Sequence, residues 1–98
     1  MERTLVLFTC DVESSLGNSG TFEHPIFRPW PPEVLIWGRV PSSREEWGIG
    51  RLMDQLDRHG MKGTFYVSAL ERRFHGDEAM AEVARGIEER GHEAGVHV

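Results

Sequence analysis

The chain has 98 residues, of which 39% are hydrophobic and 28% charged, which argues against a disordered chain and against two domains and points to one small globular unit with one core. Its formal charge of -5 has no basic block beside it, which excludes an electrostatic nucleic-acid surface and leaves the acids as solvated helix faces. A single cysteine excludes an internal disulfide.

The opening "MERTLVLFTCDVE" has too few consecutive apolar residues for a membrane-spanning helix and lacks a signal-peptide cleavage pattern, so the cytoplasm is the expected location. Within it, Thr4 to Cys10 is short, apolar and rich in β-branched and aromatic residues, and predicts a buried strand. Cys10 is expected to be a buried, inert thiol.

Residues 14 to 44 hold all five prolines and carry no sustained helix or strand period, which predicts a long Pro-rich loop with room for one short element between Glu33 and Val40. Phe27, Trp30 and Trp37 can either line a substrate groove or pin this loop to the body.

In "SREEWGIGRLMDQLDRHG" the spacing of Ile49, Leu52, Met53 and Leu56 predicts an amphipathic helix over 44 to 59, with Ser43 and Glu46 as a capping box and Gly60 as its stop. Lys62 to Ser68 predicts a second strand. Met80, Val83, Ala84 and Ile87 predict a second helix over 78 to 90, capped by Asp77 and ended by Gly91. A third strand is expected from Gly95 to Val98.

Aligning "RHGMKGTFYV" with "ERGHEAGVHV" matches Gly60 to Gly91 and shows a weak helix-to-strand repeat. Strands alternating with helices at this spacing call for parallel strands joined by crossovers, in an open doubly wound sheet or a β/α barrel. Three strands and two helices leave much of such a sheet uncovered, so the 98 residues are expected to be part of a larger domain.

Active sites of β/α folds gather at the carboxyl ends of the strands, where Asp11 and Glu13 follow the first strand and His97 lies in the third. With strand alternation, Asp11 and Glu13 share a side. A carboxylate and an imidazole suit a divalent ion such as zinc, and a second carboxylate beside them can accept a proton from the attacking water. The plain alternative is that the acids end a strand or cap a turn. His24, His59, His75 and His92 are expected to be structural: His59 suits the helix dipole, and His92 suits a backbone bond.

"FTCDVE", "GIGRLMDQLDRHGMKGTFYV" and "GIEERGHEAGVHV" resemble, in order and spacing, the opening of the polysaccharide deacetylase family, the NodB homology domain of carbohydrate esterase family four. The resemblance covers residues 4 to 13 and about 44 to 98. It implies that residues 1 to 98 are the truncated N-terminal part of a single domain, the first βαβαβ portion of a distorted (β/α) barrel. The activity it implies is metal-dependent hydrolysis of acetyl or related acyl and amide groups on an N-acetylated sugar or similar substrate.

By the same resemblance Asp11 matches the general base, Glu13 the metal-binding acid that is commonly aspartate, and His97 the first histidine of the H-x-x-x-H motif. The second histidine ligand would lie beyond Val98, and the metal would be zinc. "DVESS" also looks somewhat like the opening motif of haloacid-dehalogenase-type phosphatases, in which Asp11 would be the nucleophile, Glu13 the acid-base group and Ser68 a phosphate contact. A third expectation is a non-catalytic fragment that self-associates through its sheet edge.

Overall fold

The computed structural model describes residues 4–13 and 31–97, apart from the side chains of Leu70, Arg73 and Phe74. His24, Phe27 and Trp30 lie outside the described residues. Three strands, β1 (Phe8–Val12), β2 (Gly63–Ser68) and β3 (Glu93–His97), form a parallel sheet in the order β1-β2-β3. Between β1 and β2 come α1 (Pro32–Leu35) and α2 (Ile49–Arg58). Between β2 and β3 come a 3-10 turn (Ala69–Glu71), α3 (Arg72–His75) and α4 (Asp77–Glu89).

Alternation along the strands sorts their side chains. Phe8, Cys10 and Val12 of β1, Phe65 and Val67 of β2 and Ala94 of β3 turn toward one cluster, where they meet Met53 and Leu56 of α2 and Met80, Val83 and Ile87 of α4. Phe65, Met53 and Ile87 are completely buried at its centre. Both crossover helices therefore cover the same face of the sheet. This is the result of sequential strand order joined by crossovers of one hand, since a doubly wound sheet must reverse its order to place helices on both faces. The opposite face carries Thr9, Asp11, Thr64, Tyr66, Glu93, Gly95 and His97, and no described helix lies on it.

Both long helices end alike, as the repeat predicted. Gly60 (φ 66°) and Gly91 (φ 86°) take the left-handed conformation after His59 and Arg90. In each case the glycine N–H and the next N–H return to the last turn: Gly60 to Asp57 and Met61 to Leu56, Gly91 to Glu88 and His92 to Ile87. This is the paired bonding of a Schellman motif, which satisfies carbonyls that a helix end leaves open.

Several boundaries differ from expectation. The first strand begins at Phe8, because pairing starts at Phe8 opposite Gly63. Leu5, Val6 and Leu7 precede any strand partner and stand exposed, so the expected buried strand from Thr4 is shifted toward Asp11 and Val12. The short element expected between Glu33 and Val40 is α1, which starts one residue earlier, at Pro32, where a missing N–H costs nothing.

The helix expected over 44 to 59 starts only at Ile49, with Gly48 as its N-cap, and the Ser43–Glu46 capping box does not form. Ser43 Oγ instead accepts the Glu45 N–H at 3.0 Å, and Glu46 joins an antiparallel bridge to Arg39. The Glu46 carboxylate is held from both sides, 2.7 Å from Arg39 Nε and 2.7 Å from Arg90 Nη2. Arg90 and Arg39 also lie over the Trp37 ring, 4.5 and 5.4 Å from its centroid.

Trp37 is buried against α4, where a Cβ on Gly86 would come within 2.8 Å of the ring. The described part of the loop is thus pinned to α4 by Trp37, in accord with the second of its two expected roles. Glu46→Ala strands two guanidiniums and is expected to lower unfolding stability by about 1–2 kcal/mol in urea titration. An unchanged midpoint would show that the bridge does not hold the loop.

His92 joins three elements. Its side chain is fully buried, its Nδ1 accepts the Gly63 N–H at 3.0 Å, and its Nε2 lies 2.9 Å from Asp57 Oδ1. A ring nitrogen that accepts a backbone N–H holds no proton, so the proton sits on Nε2 and is donated to Asp57. The imidazole meets Phe65 edge-on, with centroids 5.8 Å apart. This is the structural role expected for it, and it ties the end of α2 to the start of β2.

Candidate metal centre

Strand register assembles the site. On the open face, Asp11 neighbours Tyr66, which in turn neighbours Gly95, while Ser68 neighbours His97 one row further along the strands. Glu13 follows the last residue of β1 and continues its alternation, so it reaches the same row as His97. Gly95 permits this arrangement: the Tyr66 ring lies over it, and a Cβ there would fall 2.7 Å from the ring.

Residues from opposite ends of the described chain thereby converge. His97 Nε2 lies 2.6 Å from Glu13 Oε1 and 3.9 Å from Asp11 Oδ2. One ligand atom from each of Asp11, Glu13 and His97 lies within 4.8 Å of the others, the one such cluster of potential metal ligands among the described residues. His97 and Glu13 are each 36% exposed at the side chain and Asp11 62%, so all three meet solvent and an incoming ligand.

The donor set fits a divalent cation. One imidazole nitrogen and two carboxylates match the nitrogen and oxygen ligands of zinc. The 2.6 Å contact places Nε2 and the Glu13 carboxylate at ion-pair distance. Donors sharing one tetrahedral ion stand roughly 3.4 Å apart for bond lengths near 2.1 Å, so the pair must open by less than about 1 Å as Nε2 gives up its proton. Half-exposed side chains have that freedom.

Of the remaining sequence-predicted residues, Ser68 shares the row of His97 and the others lie elsewhere. Ser68 is buried at the end of β2. His59 is the exposed C-cap of α2. His75 is enclosed behind the 3-10 turn with Nε2 3.3 Å from Glu71 Oε2. Cys10 points to the core side of β1, away from the acids. Partial burial, reinforced by the charge of neighbouring Asp11, pushes its thiol above the ordinary range. Cys10 is therefore expected to react with a disulfide reagent at pH 8 several-fold more slowly than glutathione, and to match it after unfolding. A faster rate in the folded chain would identify an activated thiol and contradict the packing role.

Sequence reasoning missed the wall beside the acids. A largely apolar cleft of about 340 Å³ opens at Asp11 and Glu13, lined by Leu35 and Ile36 from the end of α1 and by Trp47, Ile49 and Leu52 at the start of α2. Arg51 closes one side, its guanidinium 4.5 Å from the centroid of the Trp47 ring. Trp47 and Leu52 are 56% and 40% exposed. The i, i+4 spacing of Trp47 and Arg51 was the signal in the sequence, hidden by the expectation of a continuous helix across it.

No described helix is long and apolar enough to cross a membrane. Comparison of the chain with protein-family models, with curated proteins and with solved structures gave no match.

Proposed function

We propose that the chain is a metal-dependent hydrolase of the polysaccharide deacetylase type, removing acetyl or related acyl groups from nitrogen on a sugar or similar amide. The observation that carries this reading is the convergence of Asp11, Glu13 and His97 within 4.8 Å on the open face at the carboxyl ends of parallel strands. Helices confined to one face and strands in sequential order also support a distorted (β/α) barrel, in which the open face would line the interior.

Glu13 and His97, in direct contact, are assigned as ligands, and Asp11, more exposed and 3.9 Å from the imidazole, as the base. Bound there, zinc would polarise the acyl carbonyl and acidify water. Asp11 accepts the proton of the attacking water and is oriented for this by its strand position opposite Tyr66. The cleft beside it supplies apolar wall for the acyl group and keeps bulk water from that side. The phosphatase alternative leaves the His97–Glu13 contact without a role.

The direct test is acetate release from N-acetylated glucosamine oligomers, with and without chelator. Release that stops with chelator and returns with zinc supports the reading; release that ignores the chelator contradicts it.

A second reading is favoured by a specific feature, the exposed run Leu5, Val6 and Leu7 leading into edge strand β1, with Val96 exposed on the other edge strand. Under it the chain associates with itself through these edges. Size-exclusion chromatography separates the two readings, since a monomer at all concentrations removes the second.

A further inference from the structure

Behind the apolar cleft lies a larger groove of about 620 Å³, lined by five arginines: Arg39 and Arg44 from the loop before α2, Arg51 and Arg58 from α2, and Arg90 from the end of α4. Three acids, Glu45, Glu46 and Asp54, share its wall. Counted by formal charge, five cations against three anions leave the groove at +2 in a chain of net charge -5.

The acids do not neutralise it evenly. Glu46 is occupied by Arg39 and Arg90, whereas Arg44, Arg51 and Arg58 have no carboxylate within 4.0 Å among the described residues. Arg51 and Arg58 are two turns apart on the exposed face of α2, opposite Met53 and Leu56 in the core. Arg51 borders both cavities, so the groove adjoins the cleft that opens at Asp11 and Glu13.

We propose that this groove binds the phosphoryl group of the substrate, a phosphorylated N-acyl sugar or similar amide whose acyl end enters the cleft at Asp11 and Glu13. This rests on the hydrolase reading above. Guanidinium forks match phosphate oxygens in pairs and remain charged at any working pH. Three unpaired forks from two segments, around a cavity too large for a lone carboxylate, suit a doubly charged phosphoryl group. Trp47, held under Arg51, then offers its ring face to the sugar that connects the two ends.

The test is calorimetric titration of the metal-free protein at low salt with N-acetylglucosamine 1-phosphate, inorganic phosphate, N-acetylglucosamine and glucuronate. The sugar phosphate is expected to bind at least about tenfold more tightly than either the neutral sugar or inorganic phosphate, a difference of about 1.4 kcal/mol. Arg44→Gln with Arg58→Gln should remove about tenfold of that affinity, Arg58→Lys should remove less, and Arg85→Gln, an exposed α4 side chain that lines neither cavity, should leave it unchanged. Circular dichroism confirms that these exposed-site variants fold.

Equal binding of the neutral sugar, or full affinity in the folded double variant, overturns the groove assignment. Equal binding of glucuronate overturns the phosphoryl assignment, and equal binding of inorganic phosphate overturns the link to the cleft. Neither metal nor turnover enters the measurement, so its failure leaves the hydrolase reading standing, and failure of zinc binding leaves this result intact.

Discussion

Asp11→Asn is expected to lower turnover of an N-acyl substrate by about 10²–10⁴-fold, the range of a lost general base, while zinc binding changes little. Asparagine keeps the shape and the strand position opposite Tyr66 but accepts no proton from water. His97→Ala is expected to lose turnover and zinc together, because its Nε2 is the one nitrogen donor in the cluster. The separation of the two effects is the informative result. If Asp11→Asn turns over normally, the base lies elsewhere; if it loses zinc as His97→Ala does, Asp11 is a ligand.

The largest stability effect is expected at His92. Alanine there leaves the buried Gly63 N–H without its acceptor, empties space against Phe65 and frees Asp57. An unsatisfied buried donor costs about 1–3 kcal/mol and the cavity adds to it, so a loss of about 3 kcal/mol is expected in urea unfolding. That is a large share of the stability of a domain this size. His92→Asn can place its side-chain oxygen near the Nδ1 position and should recover part of the loss. A loss below about 0.5 kcal/mol for His92→Ala would mean that the Gly63 bond is not holding α2 to β2.

Much of this architecture was legible in the sequence because its signals were local. Gly60 and Gly91 marked helix ends that need positive φ, and the apolar spacing of Met53 with Leu56 and of Met80, Val83 and Ile87 named the faces that the core buries. The site was legible by topology: parallel strands bring their carboxyl ends together, so Asp11 and Glu13 could be paired with His97 across the 83 residues between Glu13 and His97 without knowing the helices between them.

The start of α2 was not legible. Ser43 and Glu46 have the spacing of a capping box, but the Glu46 carboxylate gains more from two guanidiniums, one of them at the C-cap of α4 and 44 positions away. No local pattern announces such a partner. The arginine groove escaped for the same reason, since its cations come from separate segments of an acidic chain and become neighbours only in the fold.

In the proposed site Glu13 and His97 hold a divalent ion while Asp11 stands apart as the base. Isothermal titration of the protein with zinc, in parallel with Glu13→Ala, His97→Ala and Asp11→Asn, tests it most directly. One zinc per chain is expected, lost or weakened more than about tenfold in the first two variants and nearly unchanged in the third. Zinc binding that survives both Glu13→Ala and His97→Ala would contradict it.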